Sequence, residues 1–81
     1  MSSFLIELVL ELRRADSMYP PMRSLHEGYA VILEELDEFW EHCRKKPGDR
    51  VDDEISKELV QVAAMAWRTY RDLLSGPRRL P

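Results

Sequence analysis

The 81 residues include 12 basic and 15 acidic side chains, a net charge of −3, and a single cysteine, Cys43. That length predicts one domain, residues 1–81, small enough to be marginal alone unless it oligomerises or is stapled. A lone cysteine excludes an intrachain disulfide and a cysteine-based structural zinc set, and the acidic balance leaves no footprint for nucleic-acid binding.

At the N-terminus, "MSSFLIELVLELRR" is apolar but is interrupted by Glu7 and Glu11, lacks a basic leader and has no small-residue cleavage site, so it does not read as a signal peptide. No apolar run approaches the roughly 20 residues that a bilayer span needs. The expectation is a soluble, cytoplasmic protein with no membrane partner. Phe4, Leu5, Leu8, Val9 and Leu12 recur at helical spacing and predict a short first helix, with Ser2 or Ser3 as its N-cap. "SMYPPMR" ends it, because Pro20 and Pro21 lack amide protons and push the residues before them toward extended backbone.

A second helix opens at Ser24, with Glu27 three residues on in a capping-box pattern. Leu25, Tyr29, Ile32, Leu33, Leu36, Phe39 and Trp40 form its apolar stripe. "KKPGD" stops it, and Arg44, Lys45 and Lys46 suit the negative end of the helix dipole. The third helix starts near Asp49 or Asp52, either of which is a candidate cap, and runs to Ser75-Gly76-Pro77. Its apolar positions, from Ile55 through Val60, Ala63 and Trp67 to Leu74, wrap wider than one neighbouring helix covers. Ala63, Ala64 and Ala66 permit close approach of a partner helix. Bare apolar surface of that kind marks an interface. The predicted fold is all-α: an antiparallel hairpin of two long helices plus the short N-terminal helix, completed into a bundle by oligomerisation, with 75–81 as a solvated tail.

Charge is gathered on the second helix. Glu34 and Glu38 are i,i+4 neighbours, and Glu35 and Glu38 are i,i+3 neighbours, so like charges project together at a cost to stability. Glu54, Glu58 and Gln61 follow one another at turn spacing on the third helix. The short "KKPGDR" connection makes the two helices antiparallel neighbours. Counted from that turn, Glu38 and Glu58 fall at comparable depth. Carboxylates converging in a partly dry groove either hold protons at raised pKa or bind divalent cations. Oxygen-only ligands suit Mg2+ or Mn2+, which keep waters and take up substrate phosphates. The plain alternative is a solvated acidic face.

"HEGYAVILEELDEFW", a short turn, then "KELVQVAAMAWRTYRDL" resembles the MazG-like all-α nucleoside triphosphate pyrophosphohydrolases, in particular the compact phage and bacterial members, over about Ser24 to Leu74. The family pattern is EExxE on one helix and ExxD on the next. Glu34-Glu35-Leu36-Asp37-Glu38 matches the first half in full, whereas Glu58-Leu59-Val60-Gln61 has Gln where the family has Asp. The resemblance implies Mg2+-dependent hydrolysis of a nucleoside triphosphate to the monophosphate and pyrophosphate. It further implies Glu35, Glu38, Glu58 and Gln61 as metal ligands, Glu34 as the base that activates water, and assembly as a homodimer or homotetramer. The Gln61 amide brings no charge, so it stabilises a dication less than a carboxylate would; Glu54 is a candidate to restore that charge. The alternative is a non-catalytic helical oligomerisation module that retains a degenerate acidic site.

Other residues carry weaker signals. His26, near the start of the second helix, and Arg68 and Arg71 on the third are candidates for contact with substrate phosphate. Trp40 and Trp67 read as core or interface anchors, with base stacking as the sharper alternative. His42, four after Glu38, does not make the Glu-x-x-His pair of di-iron bundles. Cys43 reads as a small, partly buried hydrophobe. No Gly-rich phosphate loop, nucleophile elbow or Cys/His zinc pattern is present.

Overall fold

In the computed structural model, which describes residues 3–75, the chain is all-α. Helix α1 spans Ser3–Met18, α2 spans Leu25–Cys43 and α3 spans Asp52–Leu74, with one 3-10 turn at Pro47–Asp49 between the last two. At 16 residues, α1 is not much shorter than the 19 of α2. It ends where Pro20 follows Tyr19, whose amide still donates to the Ala15 carbonyl. Ser2, one of the two candidate caps, lies outside the described residues, as does the tail beyond Ser75.

The two later helix starts differ from their sequence signals in instructive ways. Ser24 is the N-cap of α2, in extended backbone, with its Oγ accepting from the Glu27 amide at 3.0 Å. The return bond of the capping box shifts one residue outward: the Glu27 carboxylate accepts from the Arg23 amide. At α3, neither Asp49 nor Asp52 is the cap. The 3-10 turn absorbs Asp49, Arg50 and Val51 are extended, and Val51 becomes the N-cap with no side-chain bond. Asp52, Asp53 and Glu54 instead occupy the first turn, where the helix dipole favours negative charge.

Helix α3 touches both α1 and α2. The buried core is thin, and among the described residues no large side chain is fully buried. Ala15, Met22, Ala64 and Met65 form its main cluster, with Leu8, Leu12, Val31, Ile32 and Leu73 packed around them, and Val60 is buried beside it on α3. Of the three alanines expected at a close approach, Ala64 is in the core and Ala66 is exposed. The tight point between α2 and α3 is Gly28: a Cβ there would lie 2.5 Å from Thr69 Cγ2. Gly28 early in α2 meets Thr69 late in α3, while Cys43 at the end of α2 and Ile55 at the start of α3 line one concavity.

An ionic staple ties the α1–α2 connection to α3. Arg68, only 3% exposed, donates to Asp16 and to the carbonyls of Pro20 and Tyr19. Arg71 donates to both Asp16 carboxylate oxygens at 2.8 Å, and Asp72 accepts from the Met22 amide.

The apolar stripes are largely uncovered. On α2, Ile32 and Phe39 are half-buried, but Tyr29, Leu33, Leu36 and Trp40 are exposed along one face. Leu59, Trp67, Tyr70 and Leu74 are exposed on α3. Trp40 and Trp67 are therefore outside the core that the described residues form. No helix among the described residues is long and apolar enough to cross a membrane.

Candidate metal centre and adjoining cavity

Helical phase and helix pairing together build the acidic cluster. Glu35 and Glu38 project side by side from α2 because they are one turn apart. Glu58 reaches them from α3, and one ligand atom from each of the three carboxylates lies within 4.8 Å of the others. Glu35 and Glu58 are half-buried, while Glu38 is exposed.

This arrangement opposes its own ionisation. Burial pushes the Glu35 carboxyl up to about 7, reinforced by the charges of Glu38, Glu58, Glu34 and Glu11. Glu58 is likewise raised, first by burial and then by a hydrogen bond and charge repulsion from Glu38, eased by His42. A hydrogen bond between two carboxyl groups requires a proton on one of them. Without a cation, the cluster therefore retains protons near neutral pH, in the manner of carboxylates forced to share a site.

Beside the cluster lies a cavity of about 280 Å³, whose walls include Glu34, Glu35, Gln61, Arg14 and Arg68 along with the apolar Met22, Val31 and Met65. Glu34 is exposed and faces this space next to Glu35. Gln61 borders the same cavity, and its side chain hydrogen-bonds Glu11 of α1. Glu54, exposed, is not part of the triad.

The three candidate phosphate contacts fall in different places. His26 is exposed. Arg68 lines the cavity, but its guanidinium is taken up by Asp16 and two backbone carbonyls. Arg71 is bonded to Asp16 and Asp72. His42 stands near Glu58 and has a buried Nδ1. Cys43 is half-buried, in keeping with a small hydrophobic role. Trp67 packs its ring against Tyr70, with centroids 5.7 Å apart.

Glu11 and Arg14 belong to the site although no motif marks them. Arg14 donates to both Glu11 carboxylate oxygens and, as the first cause, holds that carboxyl below its ordinary value. Their sequence signal is faint: a charged i,i+3 pair in an amphipathic helix that also carries Glu7, Arg13 and Asp16, ordinarily a solvated ion pair.

The donor set fits a hard dication. It is all oxygen, carries up to three charges, and two of its three carboxyls are half-buried, so a bound cation would offset the burial and like charge that push Glu35 and Glu58 up. The fold and site thus define a class, an all-α chain with a three-carboxylate cluster where two helices meet. Comparisons with protein families, characterised proteins and solved structures return no match for this chain.

Proposed function

We propose that this chain is a Mg2+-dependent nucleoside triphosphate pyrophosphohydrolase of the MazG-like all-α type, cytoplasmic and acting on the nucleotide pool. It converts a (d)NTP to the (d)NMP and pyrophosphate. The observation that carries this reading is the convergence of Glu35, Glu38 and Glu58 within 4.8 Å, in the register of the family's EExxE and ExxD pattern, with Gln61 at the position of the Asp.

Glu35, Glu38 and Glu58 would hold Mg2+ or Mn2+, with Gln61 as a neutral oxygen donor beside them. When bound, the metal neutralises charge on the phosphates and acidifies a bound water. Glu34, on the cavity wall next to Glu35, accepts the proton of the attacking water as general base. The neighbouring cavity, apolar along Val31, Met22 and Met65, is near the lower end of the ~300–1,000 Å³ range of small-molecule sites, and it receives part of the nucleoside triphosphate.

The bare face of Tyr29, Leu33, Leu36 and Trp40 supports assembly into a homodimer or homotetramer, as uncovered apolar patches generally do. The same face, together with Gln61 in place of an acid, supports the second reading, a helical oligomerisation module without catalysis.

Pyrophosphate release separates the two. Across a panel of NTPs and dNTPs with Mg2+, Mn2+ or EDTA, the enzyme reading expects metal-dependent release that Glu38→Gln abolishes. A folded, oligomeric protein that releases none from any nucleotide establishes the second reading instead.

A further inference from the structure

We propose that Arg14, on α1, is the side chain that grips the substrate's polyphosphate; this rests on the metal-centre reading of Glu35, Glu38 and Glu58. Two concavities flank the acidic cluster. One is the cavity that includes Glu34 and Glu35; the other is a groove that includes Glu58, Lys57 and Glu11. Arg14 and Gln61 line both, and Arg14 is the cation common to the two. A triphosphate held at the carboxylates by metal must pass this boundary.

The competing cation in the cavity is already spent. Arg68 is 3% exposed, and its donors go to Asp16, Pro20 and Tyr19. Arg14 is different, with a side chain 48% exposed. Its Nε and Nη2 reach Glu11, its Nη1 donates to the Met18 thioether, and the guanidinium also hydrogen-bonds the neutral Tyr19 side chain. Sulfur is a weak acceptor, whereas a phosphate oxygen makes a charge-assisted bond to the planar guanidinium fork. Phosphate can therefore take Nη1 at little cost, in competition with Glu11 for the rest of the fork. Glu11 also hydrogen-bonds Gln61.

The test is calorimetric binding of inorganic tripolyphosphate in Mg2+, run beside the melting shift that Mg2+ produces alone. Arg14→Ala should weaken tripolyphosphate about 10- to 100-fold and leave the Mg2+ melting shift unchanged, and Arg14→Lys should recover part of the loss. Glu11→Gln keeps the arginine and removes its partner, so it should bind at least as tightly as wild type. Arg14→Ala binding within about twofold of wild type, with the Mg2+ shift intact, overturns the role of Arg14 and spares the metal centre. Equal weakening by Glu11→Gln and Arg14→Ala assigns the effect to helix structure and also overturns it. A wild type with no Mg2+ shift overturns the metal-centre reading, and this inference with it.

Discussion

Where α1 hands over to α2, every carboxylate meets an arginine or a backbone amide: Asp16 lies between Arg68 and Arg71, and Asp72 between Arg71 and the Met22 amide. Farther along α2 and α3, Glu35, Glu38 and Glu58 meet chiefly one another. Arg71 and Arg68 hold Asp16 below the usual carboxylate range, whereas burial and like charge hold Glu35 near 7. The same three helices thus satisfy charge in one place and leave it in conflict in another. Matched pairs belong to the scaffold. Local conflict that the rest of the fold tolerates is where function is to be sought.

The largest expected effect breaks the satisfied region. Arg68→Ala leaves the Tyr19 and Pro20 carbonyls short of a donor and empties a buried volume, for a loss of about 2–4 kcal/mol read from the denaturant midpoint. A loss below about 1 kcal/mol would remove the contrast between the two regions.

Next comes the opposite sign in the conflicted region. Metal-free Glu35→Gln should be more stable than wild type at pH 8 by about 1–2 kcal/mol, discounted for partial solvent screening, and no more stable at pH 5. The sign follows from linkage. The folded-state pKa of Glu35 is raised from 4.5 to about 7, so its contribution is fully present below 4.5 and is lost as pH rises through about 7. Asp16 runs the other way. Lowered from 3.8, it contributes above that value and is lost only as pH falls through its folded-state pKa. Thermal melts of wild type and Glu35→Gln across pH 4 to 8 in EDTA read the difference directly. Added Mg2+ should then raise the wild-type melt at pH 8 and leave the variant in place; equal responses would mean that Glu35 is not a ligand.

Gly28→Ala tests the approach of the two acidic helices. The added methyl meets Thr69, and overpacking of about 1–3 kcal/mol outweighs a helix-propensity gain of about 1. A net loss near 1 kcal/mol is expected, with recovery in the Gly28→Ala/Thr69→Ala double variant. The smallest effect sets the baseline: Glu41→Gln breaks the Arg44 pair, both side chains of which are at least 60% exposed, and should change stability by less than about 0.5 kcal/mol.

Much of the architecture is legible in the chain. Helical spacing, the prolines at 20 and 21, the Ser24 cap and the Pro47-Gly48 stop mark three helices within a few residues, because those signals act over one or two turns. The pairing of Glu35 and Glu38 is just as local. What misleads is the residue whose role depends on a distant neighbour. Asp49 and Asp52 look like caps until the 3-10 turn consumes the first and Val51 takes the cap position, leaving the second inside the first turn. Arg68 looks like a surface cation until Asp16, 52 residues away, buries it.

Sequence alone determined an all-α chain with two carboxylates in phase on one helix and a third on the next, since i,i+3 geometry and helix termination are short-range physics. Only the tertiary structure decided that Glu58 closes the triad, that Glu11 and Arg14 arrive from α1, and that Trp40 and Trp67 stay outside the core. Those outcomes depend on how α1, α2 and α3 fit around Ala15, Gly28 and Ala64. The distance between two side chains on different helices is set by that fit, and no local propensity encodes it.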